Sequence, residues 1–325
     1  MLFLTEADVH VLLPMPDLID SMQSALAAYS TGQVQQPLRT VLQVGAGHAF
    51  FGLMPAFIPQ SGALGTKLVT VFGGNAALGL PTHLATIIML DPQTGAVRAI
   101  MDGRYITEAR TAAVSAVSVR LLAREEASTL AIIGSGVQAH SHLEAISLVR
   151  PLKEVRVWSP TLERRQGFAA EARGLVRATV TAVADARTAV ADADLIVLAT
   201  ASREPVVRSE WVADGAHICA VGACRPDQRE MTTDLVQRGR LFVDSRTGAL
   251  AEAGDIVIAI KEGAFDDNHI AGELGELAAG RIGGRSKPSD VTIFKSLGMA
   301  VEDVAAAHQA FERAAERGLG RAVVV

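Results

Sequence analysis

From residue 129 onward the chain keeps repeating one unit: a short apolar segment rich in β-branched residues, a turn, and a helix. Strand-type segments fall at 129–134, 153–159, 178–183, 194–200, 216–222 and 239–244, with helical segments at 137–149, 162–173 and 186–193 between the first four. This alternation admits few folds. Strands that alternate with helices at this pitch form βαβ units, whose strands run parallel and whose sheet is covered on both faces. The pattern predicts an α/β fold with a parallel sheet covered by helices on both sides.

The residues before 110 follow a different rule. Segments 39–44, 48–57, 64–72 and 83–91 are strand-like, and Asp91-Pro92-Gln93-Thr94-Gly95 supplies a hairpin turn into 96–101. A helix over 16–30 carries Leu18, Met22, Ala25, Leu26 and Tyr29 at helical spacing. This part reads as a helix and a mainly antiparallel sheet. A further helix is expected to start at Thr107, with that residue as N-cap. The tail from residue 291 to 318 reads as a strand, a turn that includes 295–298, and a helix long enough to return to the first part.

Composition narrows the function. A chain of 325 residues suffices for two domains. A net charge of -5 provides no field that attracts nucleic acid. The longest apolar runs fall short of the ~20 residues that a membrane span requires. Glu6 and Asp8 stand where a signal peptide would be continuously apolar. Cys219 and Cys224 are too few for a disulfide framework or a cysteine-based zinc site. His140 and His142 lie two apart on a helix and so do not face each other. We expect a cytoplasmic protein with no nucleic-acid partner, no membrane partner and no metal. Only five of the 30 basic residues are lysines. Lys67 shares an apolar strand face with Val69 and Val71, and there it needs an anionic partner or a cavity.

Gly134-Ser135-Gly136-Val137-Gln138-Ala139 follows the first alternating strand and opens its helix. This is the G-x-G-x-x-G/A fingerprint in the context that binds a dinucleotide. Gly134 permits the tight turn, Gly136 lets a pyrophosphate approach the backbone, and Ala139 allows close helix–strand packing. The helix N-terminus, with Val137 and Gln138, supplies N–H groups. An NAD site places a carboxylate at the end of the second strand. Here that strand ends Val157-Trp158-Ser159-Pro160-Thr161, with Arg164 and Arg165 in the next turn. Hydroxyl donors and positive charge suit a 2′-phosphate, so NADPH is the expected cofactor, with NADH as the alternative.

Further stretches, in this order, resemble the ornithine cyclodeaminase/μ-crystallin family over about residues 37–307. They are LGTKLVT at 64–70, LPTH at 80–83, MDG at 101–103, TEARTAA at 107–113, the GSGVQA turn, AVGACRPDQREM at 220–231 and TIFKSLGMAVED at 292–303. The last two are most similar to the ketimine-reductase branch. The resemblance implies a homodimer in which 1–112 and 301–325 form an α+β substrate-binding and dimerisation domain. A Rossmann domain, 113–300, is inserted in it. The implied substrates are small imino acids whose α-carboxylate is held while a hydride is exchanged with the nicotinamide.

The same resemblance implies site residues. Arg110 would clamp the substrate carboxylate, a task its planar fork suits. Lys67 would lie at that carboxylate or at the reacting centre. Arg39 matches a third carboxylate-binding position, Thr82 and His83 border the site, and Asp227 lies at its mouth as a candidate acid. Lys295 to Gly298, Leu297 among them, would pass the nicotinamide. A buried ion pair is the plain structural alternative for Lys67 and Arg110, a hydrogen-bonded turn histidine for His83, and an exposed loop or strand-edge position for Arg39 and Asp227. Cyclodeaminases of the family carry an aspartate where this chain has Cys224. A thiol does not take over a carboxylate's acid/base role at neutral pH, which argues against ammonia release. The implied reaction is NADPH-dependent reduction of Δ1-pyrroline-2-carboxylate and Δ1-piperideine-2-carboxylate to L-proline and L-pipecolate. An ornithine cyclodeaminase, an alanine-type dehydrogenase and a non-catalytic NADPH-dependent ligand-binding protein are the alternatives.

Overall fold

A computed structural model of the chain describes residues 1–45 and 49–324. His48, the first residue of one predicted strand, lies outside them. Two compact units result, one from Met1–Arg110 with Met299–Val325 and one from Thr111–Gly298. The chain begins with β1 (Leu2–Leu4), α1 (Glu6–Leu12), α2 (Met15–Ser30), β2 (Thr40–Val44), β3 (Ala49–Ile58), β4 (Ala63–Val71), β5 (His83–Leu90), β6 (Val97–Asp102) and α3 (Arg104–Leu122). There follow β7 (Thr129–Ile133), α4 (Val137–Val149), β8 (Glu154–Trp158), α5 (Leu162–Ala172), β9 (Thr179–Ala182), α6 (Ala186–Val190), β10 (Leu195–Leu198) and β11 (His217–Ala220). Next come α7 (Thr233–Arg238), β12 (Arg240–Val243), α8 (Arg246–Glu252), α9 (Gly254–Lys261), β13 (Ile270–Glu273), α10 (Leu274–Ala278) and β14 (Thr292–Lys295). The chain ends with α11 (Ala300–Arg317) and β15 (Arg321–Ala322).

In the first unit the sheet order is β15-β1-β6-β5-β4-β3-β2. Strands β2 to β6 form the expected antiparallel meander, while β1 adds parallel to β6. The long helix α11 packs on β3, β4 and β5 and against α2. It can do so because Ala306, Ala307, Ala310 and Ala314 recur at helical spacing and are fully buried. The sheet answers with Met54, Ala56, Ala63, Ile87 and Met89. Burying a side chain such as Ile87 stabilises the unit by roughly 1.5–3 kcal/mol.

Helix α3 corrects one expectation. It starts at Arg104, not after Thr107. The Asp102 carboxylate accepts from the N–H groups of Arg104 (3.0 Å) and Tyr105 (3.2 Å), so aspartate caps the helix a turn earlier. Thr107 lies inside the first turn, and its hydroxyl donates to the Gly103 carbonyl at 2.7 Å.

The second unit is a parallel sheet in the order β13-β12-β14-β11-β10-β7-β8-β9. Alternate residues of one strand serve opposite cores. Leu130 and Ile132 of β7 pack with Val155, Val157 and Phe168, whereas Ala131 and Ile133 pack with Ile196, Leu198 and Ile218. The chain runs outward through β8 and β9, then returns to β10 on the other side of β7. Strand order therefore reverses beside β7, the place where open α/β sheets bind ligands at their strands' carboxyl ends.

Candidate active site

Four charged side chains meet in the interior of the first unit. Strand β4 carries Lys67 inward, and its Nζ lies 2.6 Å from Asp303 Oδ2. The Arg110 Nη1 donates to Glu302 Oε2 at 2.5 Å, and its Nε donates to Asp303 Oδ1 at 3.1 Å. Asp303 thus binds the lysine with one oxygen and the arginine with the other. Relative exposure is 2% for Lys67, 4% for Arg110 and 0% for both acids, so water screens none of them. Glu302 and Asp303 occupy the first turn of α11, where the helix dipole favours carboxylates. Lys67 Nζ also donates to Thr107 Oγ1 at 3.5 Å, a contact made possible by the early start of α3.

The electrostatics follow from this packing. Burial pulls the Lys67 ammonium down to about 8; Asp303 opposes the shift, and Arg110 and Arg39 add to it. Burial pushes Asp303 up, but Arg110 and Lys67 outweigh it and hold the carboxyl below its ordinary range. His83, at the start of β5, is lowered to about 4 by burial and then by Lys67 and Arg110. Arg39 and His83 therefore stand in the field of the cluster. Thr82 beside His83 is exposed, and its carbonyl accepts from the Phe72 N–H at 2.9 Å. Glu302 and Asp303 were not singled out from the sequence, although a buried lysine and arginine demand anions. The signal was two adjacent acids in the first turn of a helix whose flanking Ala300, Val301 and Val304 are apolar.

The second unit presents the dinucleotide turn. Gly134 has φ +125°, and a Cβ there would lie 2.5 Å from the Ala199 carbonyl oxygen. Only glycine fits without displacing backbone. At Gly136 a Cβ would meet nothing within 4 Å, so the space before the helix is open. Gly136 caps α4 without a side-chain hydrogen bond, and Val137 beside it is exposed. Gln138 is half-buried, and Ala139 is buried against the sheet. The arrangement fits a pyrophosphate received by backbone N–H groups. Ser159 at the end of β8 is buried, accepts from the Ser135 hydroxyl at 2.9 Å, and its carbonyl accepts from Arg165 Nη1 at 2.7 Å. Thr161 and Arg164 are exposed.

Buried carboxylates organise the other loops at this edge. Asp244 Oδ2 accepts from the N–H groups of Leu297 (2.5 Å) and Gly298 (2.7 Å). Glu230 accepts from the Thr200 N–H (2.6 Å) and hydroxyl (2.8 Å) and from the N–H groups of Gly222 (2.9 Å) and Ala223 (3.2 Å). Asp255 Oδ1 accepts from the N–H groups of Glu230 and Met231, while its Oδ2 lies 3.1 Å from Lys295 Nζ. None of these acids was picked out from the sequence. Cys224 is half-buried, and its thiol donates to the Val221 carbonyl at 3.2 Å. Asp227 is exposed and meets Arg225 at 3.4 Å and Arg203 at 3.5 Å, outside the buried network. His142 bonds Ser115 and the Gln138 carbonyl, whereas His140 bonds Glu171.

A doubly covered parallel sheet with an open glycine turn at its switch point defines a nicotinamide-dinucleotide-dependent oxidoreductase. The chain belongs to the Ornithine cyclodeaminase/mu-crystallin family, whose profile matches residues 1–318. It is 42% identical over 301 residues to the ketimine reductase mu-crystallin of Mus musculus, covering 91% of each chain. The solved structure of Thermococcus litoralis Δ1-pyrroline-2-carboxylate reductase, in complex with NADH and L-proline, superposes with a TM-score of 0.97 at 39% identity, covering 99% of this chain and 100% of that one. An archaeal alanine dehydrogenase dimer with bound NAD superposes with a TM-score of 0.94 at 31% identity, covering 99% and 98%. Among the described residues no helix is long and apolar enough to cross a membrane.

Proposed function

We propose that the chain is an NADPH-dependent ketimine reductase. It converts Δ1-pyrroline-2-carboxylate to L-proline and Δ1-piperideine-2-carboxylate to L-pipecolate. The observation that carries this reading is the convergence of Lys67 and Arg110 on one buried carboxylate, Asp303, two cations fixed at one point of an oxidoreductase chain. Arg110 and Lys67 hold the α-carboxylate of the imino acid, with Arg39 adding charge and Thr82 bordering the site. Lys67 is protonated at neutral pH, since its pKa is about 8, and offers a hydrogen to the bound anion. A nicotinamide dinucleotide, when bound, supplies the hydride. Gly134, Gly136, Val137, Gln138 and Ala139 receive its pyrophosphate, and Leu297, fixed by Asp244, flanks the nicotinamide. Asp227 is exposed and paired with arginines, and it is assigned no step.

The preference for NADPH rests on Ser159, Thr161 and Arg164 with Arg165, where hydroxyls and guanidinium groups stand in place of a carboxylate. The relatives' bound NADH and NAD say what those proteins hold, so this chain's preference needs its own measurement. A homodimer is supported by the sheet face opposite α11. There Leu42, Leu53 and Leu84 are 61%, 37% and 42% exposed, more apolar surface than a lone sheet leaves to water. A monomeric Leu53→Asp variant in sedimentation would support it, and a monomeric wild type would end it. A cytoplasmic setting is proposed from the sparse cysteine content, Cys219 and Cys224 alone in the sequence.

The test is a substrate panel with NADPH and NADH, containing both cyclic imines, pyruvate with ammonia, and ornithine. NADPH oxidation with either imine is the expected result. Ammonia release from ornithine without imine reduction would sink the reading, and so would NADPH binding with no turnover of any compound.

A further inference from the structure

The reading above uses Lys67 and Arg110 and leaves unexplained why two buried acids stand against them. We propose that Asp303 is a positioning residue, which orients Lys67 and Arg110 together and keeps Lys67 charged for an anionic ligand. The inference rests on the substrate role given to those two cations.

The geometry singles Asp303 out. Its Oδ2 lies 2.6 Å from Lys67 Nζ, and its Oδ1 accepts from Arg110 Nε at 3.1 Å. One carboxylate therefore fixes both cations, from a helix that is remote in sequence from β4 and α3. Glu302 adds a second hold on Arg110, through Nη1. The guanidinium is held at two points, Nε and Nη1, by two acids on successive residues, which sets the plane of the fork. An ammonium has three N–H bonds. Among the described residues Lys67 meets Asp303 and Thr107, so the third is available to a ligand.

Charge state points the same way. The groups that act on Lys67 are Asp303 from α11, Arg110 from α3 and Arg39 ahead of β2, with His83 across the sheet on β5. Arg110 and Arg39 repel a proton from Lys67, burial repels it further, and His83 is neutral near pH 7. Asp303 is the opposing charge. Without it, desolvation and two guanidinium groups would act unopposed, and a neutral amine would bind a carboxylate poorly. An acid that served only to fill the core would not need both oxygens on ligand-facing cations.

The experiment follows the lysine itself. With five lysines in the chain, the side-chain NMR signal of Lys67 can be assigned with Lys67→Arg and titrated in wild type, Asp303→Asn and Asp303→Glu. In Asp303→Asn the Lys67 midpoint should fall by roughly one unit or more. The alkaline limb of kcat/KM for the imine should fall by the same shift, while NADPH affinity is unchanged. Asp303→Glu keeps the charge but displaces it and should lie between. If Asp303→Asn does not fold, Asp303→Glu carries the test alone. An unmoved Lys67 midpoint in either folded variant overturns the proposal. If the wild type reduces no cyclic imine, the functional reading fails, yet the lysine titration still decides whether Asp303 sets the state of Lys67.

Discussion

Replacing Arg110 by alanine tests the substrate contact proposed for it against a purely structural ion pair. The guanidinium is nearly buried and faces Glu302 at 2.5 Å and Asp303 at 3.1 Å, both fully buried. Removing it leaves two carboxylates in the interior with one ammonium between them. Breaking a buried pair in this way costs about 3–5 kcal/mol, because an unpaired charge stays behind. Arg110→Ala should therefore lose that much stability in urea unfolding. Adding Glu302→Gln removes the stranded charge while Lys67 still serves Asp303, so the double variant should recover at least about half of the loss. Catalysis should not return. A lost charged contact to substrate costs about 2–5 kcal/mol, roughly thirty- to several-thousandfold in kcat/KM. NADPH titration by fluorescence should be unchanged in both variants. If the double variant regains turnover along with stability, Arg110 is a structural ion pair and the carboxylate clamp is wrong.

Three further outcomes follow from the same geometry. The role proposed for Lys67 requires its proton, so kcat/KM should fall as pH rises through about 8; stability should move the opposite way, since a lysine depressed from 10.5 costs most below about 8 and is relieved as pH rises toward 10.5. Parallel pH–rate and pH–unfolding curves check this, and a rate that rises above pH 8 would contradict it. Ser159→Asp places a carboxylate where a 2′-phosphate would lie and should shift the kcat/KM ratio toward NADH by about tenfold or more; an unchanged ratio would remove Ser159 from the cofactor site. Gly134→Ala should abolish cofactor binding and cost about 1–3 kcal/mol of stability, through its φ of +125° and the 2.5 Å approach to Ala199. Gly136→Ala, where a Cβ meets open space, should lose affinity with little stability loss. Calorimetry and cofactor titration distinguish the two glycines.

The local signals were readable where they were long or carried a motif. The predicted helix at 137–149 coincides with α4, because a glycine turn fixes its start and an apolar stripe its length. The meander was legible in the same way, since a two-residue period and the 91–95 turn leave little freedom of register. Some short elements were not. β1 has only three residues, and β13 (IAGE) lacks the run of β-branched residues that makes an equally short strand such as β10 (LIVL) readable. Helix α1 does carry a capping box, from Thr5 and Asp8, but seven residues give it little apolar stripe. Thr107 precedes the apolar run as a cap would, but Asp102 reaches the backbone first. The site was half legible. Burial of a lysine on a strand announces that an anion is near, but only the tertiary fold brings Asp303 to it.

The two units share a device that stability alone does not explain. Each buries a strand lysine, Lys67 on β4 and Lys295 on β14, against an aspartate from the first turn of a helix, Asp303 on α11 and Asp255 on α9. A buried ion pair gains little over a well-packed apolar pair, because desolvation offsets the attraction. Its effect lies in what the acid orients. Asp303 holds the Arg110 fork, and Asp255 holds the backbone of Glu230, whose carboxylate in turn fixes Thr200, Gly222 and Ala223. Those loops follow β10 and β11, at the edge where the sheet reverses its strand order. Burial also raises the pKa of Glu230, against the pull of Lys295, so the lysine helps keep that carboxylate an acceptor. A chain with few lysines thus commits two of them to fixing the acids that hold the Arg110 fork in one unit and the loops after β10 and β11 in the other.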